Sequence, residues 1–168
     1  MHTTQPGRAT TKRRTSLLAA VVATGVLLTA CMTADESSAF NLVNRDRATN
    51  SVPALAANDA ALTKAQNWAK HLATNSGGAC TSSTLYHSNL TTGAPAGWKR
   101  LGENVACRTV TGSVADAVAP LQGQFMSSAG HRANILNGSF THAGVGISAV
   151  SIGTNRWVVF EAQYFVQL

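Results

Sequence analysis

Beyond its first thirty positions the sequence has no cluster of basic residues, and Lys99-Arg100 is the only adjacent basic pair. A nucleic-acid surface, which would need clustered Lys and Arg interleaved with aromatics, is thereby excluded. The high formal charge has a local origin. The chain carries 13 Lys and Arg against 7 Asp and Glu, a formal +6, but Arg8, Lys12, Arg13 and Arg14 all fall in residues 1–30. There is no P-loop, no dinucleotide fingerprint, no serine-hydrolase elbow and no local His-Glu-x-x-His metal motif. Nor is there an internal repeat or a sign of a second domain, and residues 31–168 suffice for one domain with a sizeable core.

What is present begins with an export signal. The four early bases precede Ser16 to Ala30, an uncharged, mostly apolar run of signal-peptide length that is too short to span a bilayer comfortably. The run ends Leu28-Thr29-Ala30-Cys31, which resembles a bacterial lipobox, whose cysteine is acylated and becomes the new N-terminus. This divides the chain into a lipoprotein signal peptide (1–30), a short polar tether (31–38) and a folded domain (39–168). An ordinary cleaved signal and an uncleaved anchor helix are the alternatives. Two acyl chains on Cys31 would hold the protein on a membrane, placing the domain outside the cytoplasm.

With Cys31 assigned to lipid, Cys80 and Cys107 remain, an even number in a compartment that permits disulfides. They are expected to pair, contributing roughly 3 to 4 kcal/mol by chain-entropy estimates. The alternative for Cys107 is a reactive thiolate.

Phe40, Val43, Asn44 and Arg47 follow helical spacing up to Asn50-Ser51-Val52-Pro53. A stronger stripe, Leu62, Ala65, Trp68, Ala69 and Leu72, predicts a helix over residues 58–75, with Asn58 or Asp59 as its cap. Val114, Val118, Leu121 and Phe125 give a third stripe, in which Pro120 predicts a bend or a new start. Ser128 is placed to cap a short helix through Leu136. Residues 144–150 and 156–166, rich in β-branched and aromatic side chains around Gly153-Thr154-Asn155, read as an antiparallel hairpin. Helices first, strands last and a short strand before the site predict an α+β fold with a small antiparallel sheet covered by helices.

Four segments carry the chemistry: Tyr86-His87-Ser88, Gly102-Glu103-Asn104-Val105-Ala106, Ser128-Ala129-Gly130-His131-Arg132-Ala133-Asn134-Ile135-Leu136, and Gly144-Val145-Gly146. Ionisable groups among small and apolar neighbours are costly to place unless something uses them. In type and order the four segments resemble the CAP superfamily of cysteine-rich secretory proteins, antigen 5 and pathogenesis-related protein 1, in its bacterial SCP-like branch. The resemblance implies an α-β-α sandwich and a central cleft faced by His87, Glu103 and His131, where some members hold a divalent metal such as zinc through the histidines. The family's second cleft glutamate is missing, because Phe125-Met126-Ser127-Ser128 puts serine there. That weakens any mechanism needing two carboxylates.

The resulting expectation is a lipid-anchored, extracytoplasmic binding module, monomeric, with a His87/Glu103/His131 cleft for a divalent metal, a peptide or a lipid. A metal-dependent hydrolase, with His87 and His131 as ligands and Glu103 as general base, is one alternative. A structural envelope protein is the other. His71 reads as a solvated last-turn histidine, His142 as a loop residue, and Trp68, Trp98 and Trp157 as core.

Overall fold

The computed structural model describes residues 31–168; the signal segment 1–30 lies outside them. Four helices, α1 (Ala34–Thr49), α2 (Asp59–Asn75), α3 (Ala115–Ser127) and α4 (Ala129–Ile135), pack on four strands: β1 (Ala56–Ala57), β2 (Arg100–Thr111), β3 (His142–Gly153) and β4 (Arg156–Gln167). The sheet order is β1-β3-β4-β2, with β1 parallel to β3 and the remaining pairs antiparallel. The sheet is therefore mixed rather than purely antiparallel.

Alternation along β4 makes two layers. Val158, Phe160, Ala162, Tyr164 and Val166 pack with Ala61, Ala65, Ala69 and Leu72 of α2. Val159 and Phe165 join the opposite core, with Val43, Leu121, Phe125 and Ile135 of α1, α3 and α4. This is the period-2 pattern of a strand buried on both faces, giving an α-β-α sandwich. Helix α2 lies directly on β3: a Cβ at Gly144 or Gly146 would come within 2.3 Å of the backbone of Leu62 or Ala65. Only glycine admits that approach.

The predicted α2 and hairpin are found, with Asn58 capping α2 by accepting Ala61 N–H at 3.0 Å. Four expectations need correction. Residues 35–38 are not a tether but the first turn of α1, closed by a capping box between Thr33 and Glu36. Glu36 is 2% exposed, because its carboxylate also accepts the Ile147 N–H of β3 and Gln66 Nε2. Helix α3 runs through Pro120 as one element; Pro120 and Asp116, whose carbonyl loses its N–H donor, are both exposed, so water can take that carbonyl. The Ser128 side chain makes no cap bond. Trp98 is 43% exposed rather than in the core.

The α1/α3 face also buries polar groups. Arg47 is fully buried, has no carboxylate partner among the described residues, and donates to the carbonyls of Pro53 (2.7 Å), Ile135 (2.7 Å), Asn137 (3.0 Å) and Phe140 (3.2 Å). Burial pulls its pKa below the usual arginine range, yet a guanidinium stays charged. Arg47→Met should therefore lower stability by roughly 3 to 5 kcal/mol, since truncation leaves several carbonyls without a donor. Chemical denaturation measures this, and a loss below about 1 kcal/mol would contradict it.

Glu161, on β4 and fully buried, accepts Gln163 Nε2 at 2.9 Å through Oε1, while its Oε2 has no partner among the described residues. Burial pushes its pKa up to about 7, with the Gln163 bond opposing. The unfolded chain releases this proton near 4.5 and the folded chain only near 7, so the acid favours folding below that window and loses its contribution as pH rises through it. Glu161→Gln should accordingly remove a decline in stability between about pH 4.5 and 7, on the order of a few kcal/mol, and be the more stable form at pH 8. Parallel denaturation curves for the two proteins over that range would refute the assignment.

Candidate functional site

The site forms at the free edge of β2. One wall is the irregular segment 80–97, the other is α4, and β2 lies between them. The segment 80–97 contains no strand, so the short strand expected before the site is absent; the long strand β2 carries Glu103 instead.

Segment 80–97 is held at several points. Cys80 and Cys107 form a disulfide with a Cα–Cα distance of 5.7 Å, fastening its start to β2 and settling Cys107 as structural. Trp68 Nε1 donates to the Tyr86 carbonyl at 3.1 Å, and His71 Nε2 meets the Tyr86 hydroxyl at 2.8 Å. His71 thus braces the loop rather than only facing water. From α2, Lys64 Nζ donates to the carbonyls of Asn89 (2.7 Å) and Thr92 (2.8 Å) and stands 4.9 Å above the Tyr164 ring. The Tyr164 hydroxyl donates to the Leu90 carbonyl. Burial pulls the Lys64 ammonium below the usual lysine range, with the Glu103 charge opposing. Burial and then the same charge push the Tyr164 phenol up to about 12.

Glu103 is the buried centre. Its side chain is 2% exposed, and both oxygens are occupied: Oε1 accepts Ser88 N–H (2.8 Å) and His87 Nδ1–H (3.0 Å), and Oε2 accepts the Ser88 hydroxyl (2.6 Å). The carboxylate is acceptor-only, so Nδ1 of His87 is the donor and Nε2 keeps its lone pair in the neutral ring. The His87 side chain is 58% exposed. A carboxylate that orients one ring nitrogen and leaves the other outward is the arrangement that surrounds ligating imidazoles.

His131 enters from α4, its ring edge-on to Phe125 at 5.2 Å. Burial first, and the neighbouring His87 second, hold its pKa below the ordinary histidine range. Its Nδ1 is buried without a partner among the described residues. The His131 carbonyl accepts Asn104 Nδ2 at 3.1 Å. His142 bonds Thr141 at the start of β3 and does not line the cleft. A cavity of about 250 Å³ opens between the walls, lined by His87, Leu90, Leu101, Gly102, Glu103 and Asn134.

Motif reading brought forward His87, Glu103 and His131 but passed over Ser88, Asn104 and Asn134, which lie inside the same motifs. Lys64 and Tyr164 had no local signal. As a metal site the donor set is thin. His87 lines the cavity but His131 does not, Glu103 is already bonded on both oxygens, and no group of three or more His, Cys, Asp or Glu is arranged to hold an ion among the described residues. The donors left are the outward nitrogen of His87 and the unpartnered Nδ1 of His131, which fit at most an open site completed by water or a ligand, not a closed structural centre.

Fold and site together define a disulfide-stapled α-β-α domain with a histidine–carboxylate cleft at one sheet edge. The chain belongs to the CAP family, the cysteine-rich secretory protein family, whose model matches residues 40–167. It is similar to an extracellular SCP-domain protein of Bacillus anthracis, with 31% identity and a TM-score of 0.55 over 80% of this chain; it spans 40% of that protein's length. An outer surface protein of Borrelia burgdorferi shares the fold at 14% identity and a TM-score of 0.55, over 79% of this chain and 92% of that one. So does a venom allergen-like protein of Schistosoma mansoni, at 11% identity and a TM-score of 0.51 over 82% and 92% of the two chains. Comparison with the curated proteins found no match.

The anchoring pattern has a testable consequence. Replacing Cys80 and Cys107 together by serine should cost roughly 3 to 4 kcal/mol and speed hydrogen exchange most at residues 80–86. Residues 89–92, still held by Lys64 and Tyr164, should change less. Exchange that rises evenly over the whole domain would show that the staple is not local.

Proposed function

We propose that this protein is an extracytoplasmic binding module of the CAP family, tethered to a membrane through lipid on Cys31, in which His87 faces the ligand and Glu103 orients it. The observation that carries this reading is the internal commitment of Glu103. A general base must reach the proton it removes, and a carboxylate 2% exposed with three hydrogen bonds on its two oxygens is poorly placed to do so. The hydrolase reading is correspondingly disfavoured.

The tether rests on the sequence preceding the fold. Cys31 is exposed and stands three residues before α1, so an acyl anchor there would hold the domain close to the membrane surface. No described helix is long and apolar enough to cross a membrane. The extracellular and outer-surface placement of the similar Bacillus and Borrelia proteins supports export. A cavity of about 250 Å³, lined by an imidazole, an amide and a carboxylate together with Leu90 and Leu101, has room for a small polar group and is too small for a long acyl chain. Where a divalent cation is taken, His87 and His131 would hold it, and the cation would supply a positive centre for an anionic or carbonyl ligand.

The test is zinc titration of the domain from residue 32 onward, by calorimetry, in wild type, His87→Ala and His131→Ala. A two-imidazole site predicts exchangeable zinc of micromolar or weaker affinity, reduced at least tenfold in each variant. Peptide and ester substrates should show no turnover above the metal-only blank. Turnover abolished by Glu103→Gln would overturn the binding reading in favour of the hydrolase.

A further inference from the structure

The polar side chains behind the cleft are hydrogen-bonded in a fixed direction. Asn104 Nδ2 donates to the His131 carbonyl (3.1 Å) and to Gln163 Oε1 (3.1 Å). A backbone carbonyl only accepts, so Asn104 is fixed with its nitrogen toward His131 and its Oδ1 toward Asn134. Asn134 Nδ2 then donates both of its hydrogens, to Asn104 Oδ1 (2.9 Å) and to the Glu103 carbonyl (3.2 Å). With both N–H groups spent, Oδ1 is all that the Asn134 side chain has left to offer. It is not among the buried atoms lacking a partner, and Asn134 lines the cavity.

Residue 102 keeps that oxygen uncovered. A Cβ on Gly102 would stand 3.2 Å from Asn134 Oδ1 and 2.9 Å from the Phe140 ring. Across the same cavity, His87 has its Nδ1 proton committed to Glu103, which leaves Nε2 as an acceptor. Both polar side chains of the cavity wall with unused bonding capacity thus present lone pairs, and an anionic carboxylate lies directly behind one of them. Lys64, whose ammonium feels the Glu103 charge, is committed to the carbonyls of Asn89 and Thr92.

From this polarity we infer that the cleft recognises a primary ammonium group, received by His87 Nε2 and Asn134 Oδ1 and favoured by the Glu103 charge. The inference rests on the binding-module reading and names the ligand chemistry of that site. An ammonium can be carried by a peptide or by an amino sugar; the recognised group is the same.

The experiment follows ¹H–¹⁵N spectra of the domain from residue 32 onward at pH 7, where the lysine ammonium and most of the glucosamine ammonium keep their protons. The probes are Nα-acetyl-lysine amide and its Nε-acetylated form, then glucosamine and N-acetylglucosamine. The expected result is saturable shifts of the Asn134 side-chain amide with a free-amine probe, at least tenfold weaker with its acetylated partner. The lysine and sugar pairs separate the two carriers. In His87→Ala the shifts should fall at least tenfold while the Asn134 amide protons keep their free-state positions, which reports an intact fold. Equal binding of amine and acetylated probes would overturn the inference, because a neutral donor would then suffice. Zinc bound through His87 with no response to either amine would overturn it while leaving the binding module standing. Silence toward zinc and amines alike would sink both.

Discussion

One buried cation organises the half of the molecule that carries His131. Arg47 leaves α1 and reaches carbonyls before β1, at the end of α4 and in the approach to β3. The first is far in sequence from the other two, and between α4 and β3 there is little regular structure to hold the chain. A guanidinium presents five N–H groups in a rigid plane, so it can satisfy several carbonyls together where a lysine would reach fewer. The C-terminal turn of α4 is thereby fixed against α1, and with it the orientation of His131 and Asn134. The cost of burying this charge is offset by carbonyls that would otherwise be buried unpaired.

The opposite wall depends on different devices. Segment 80–97 has no ladder of its own and is held by one disulfide, by Lys64, by the Tyr164 hydroxyl and by Glu103 through Ser88. Glu103 therefore belongs to the support of the loop as much as to the cleft. A carboxylate accepting three hydrogen bonds rigidifies its donors, and His87 gains a defined tautomer from the same contact. The cleft is a seam between two independently fixed walls, which suits recognition through preorganised groups.

Where burial follows hydrophobic periodicity, the fold was legible in the sequence. The stripe from Leu62 to Leu72 and its Asn58 cap predict α2, and β-branched residues around Gly153 predict the hairpin. Strand β2 was hidden because its buried residues at 102–104 are Gly, Glu and Asn, whose burial depends on partners in α4, β4 and segment 80–97. The same holds for Glu36, which reads as tether until Ile147 and Gln66 are brought to it. The motifs gave the identity of His87, Glu103 and His131, but the direction of each hydrogen bond is a property of three dimensions. That direction is what separates an orienting carboxylate from a catalytic one.

The amide chain behind α4 extends the argument past the cleft. Asn134 donates to Asn104, Asn104 to Gln163, Gln163 to Gln122 and Glu161, and Gln122 to Asp46 at 2.8 Å. Every amide nitrogen in the chain points toward a carboxyl group at its far end. Asp46 is an acceptor when ionised, so it orders Gln122, whose oxygen in turn meets Gln163 Nε2; at the near end the carbonyls of His131 and Glu103 impose the same direction. Reversing one amide would set nitrogen against nitrogen and oxygen against oxygen in a buried row, where each unsatisfied group costs about 1 to 3 kcal/mol. The facing of Asn134 is thus imposed at the near end by two backbone carbonyls, and the amide row from Asn104 to Asp46 runs in the direction that agrees with it, so that no buried amide is left opposed to its neighbour.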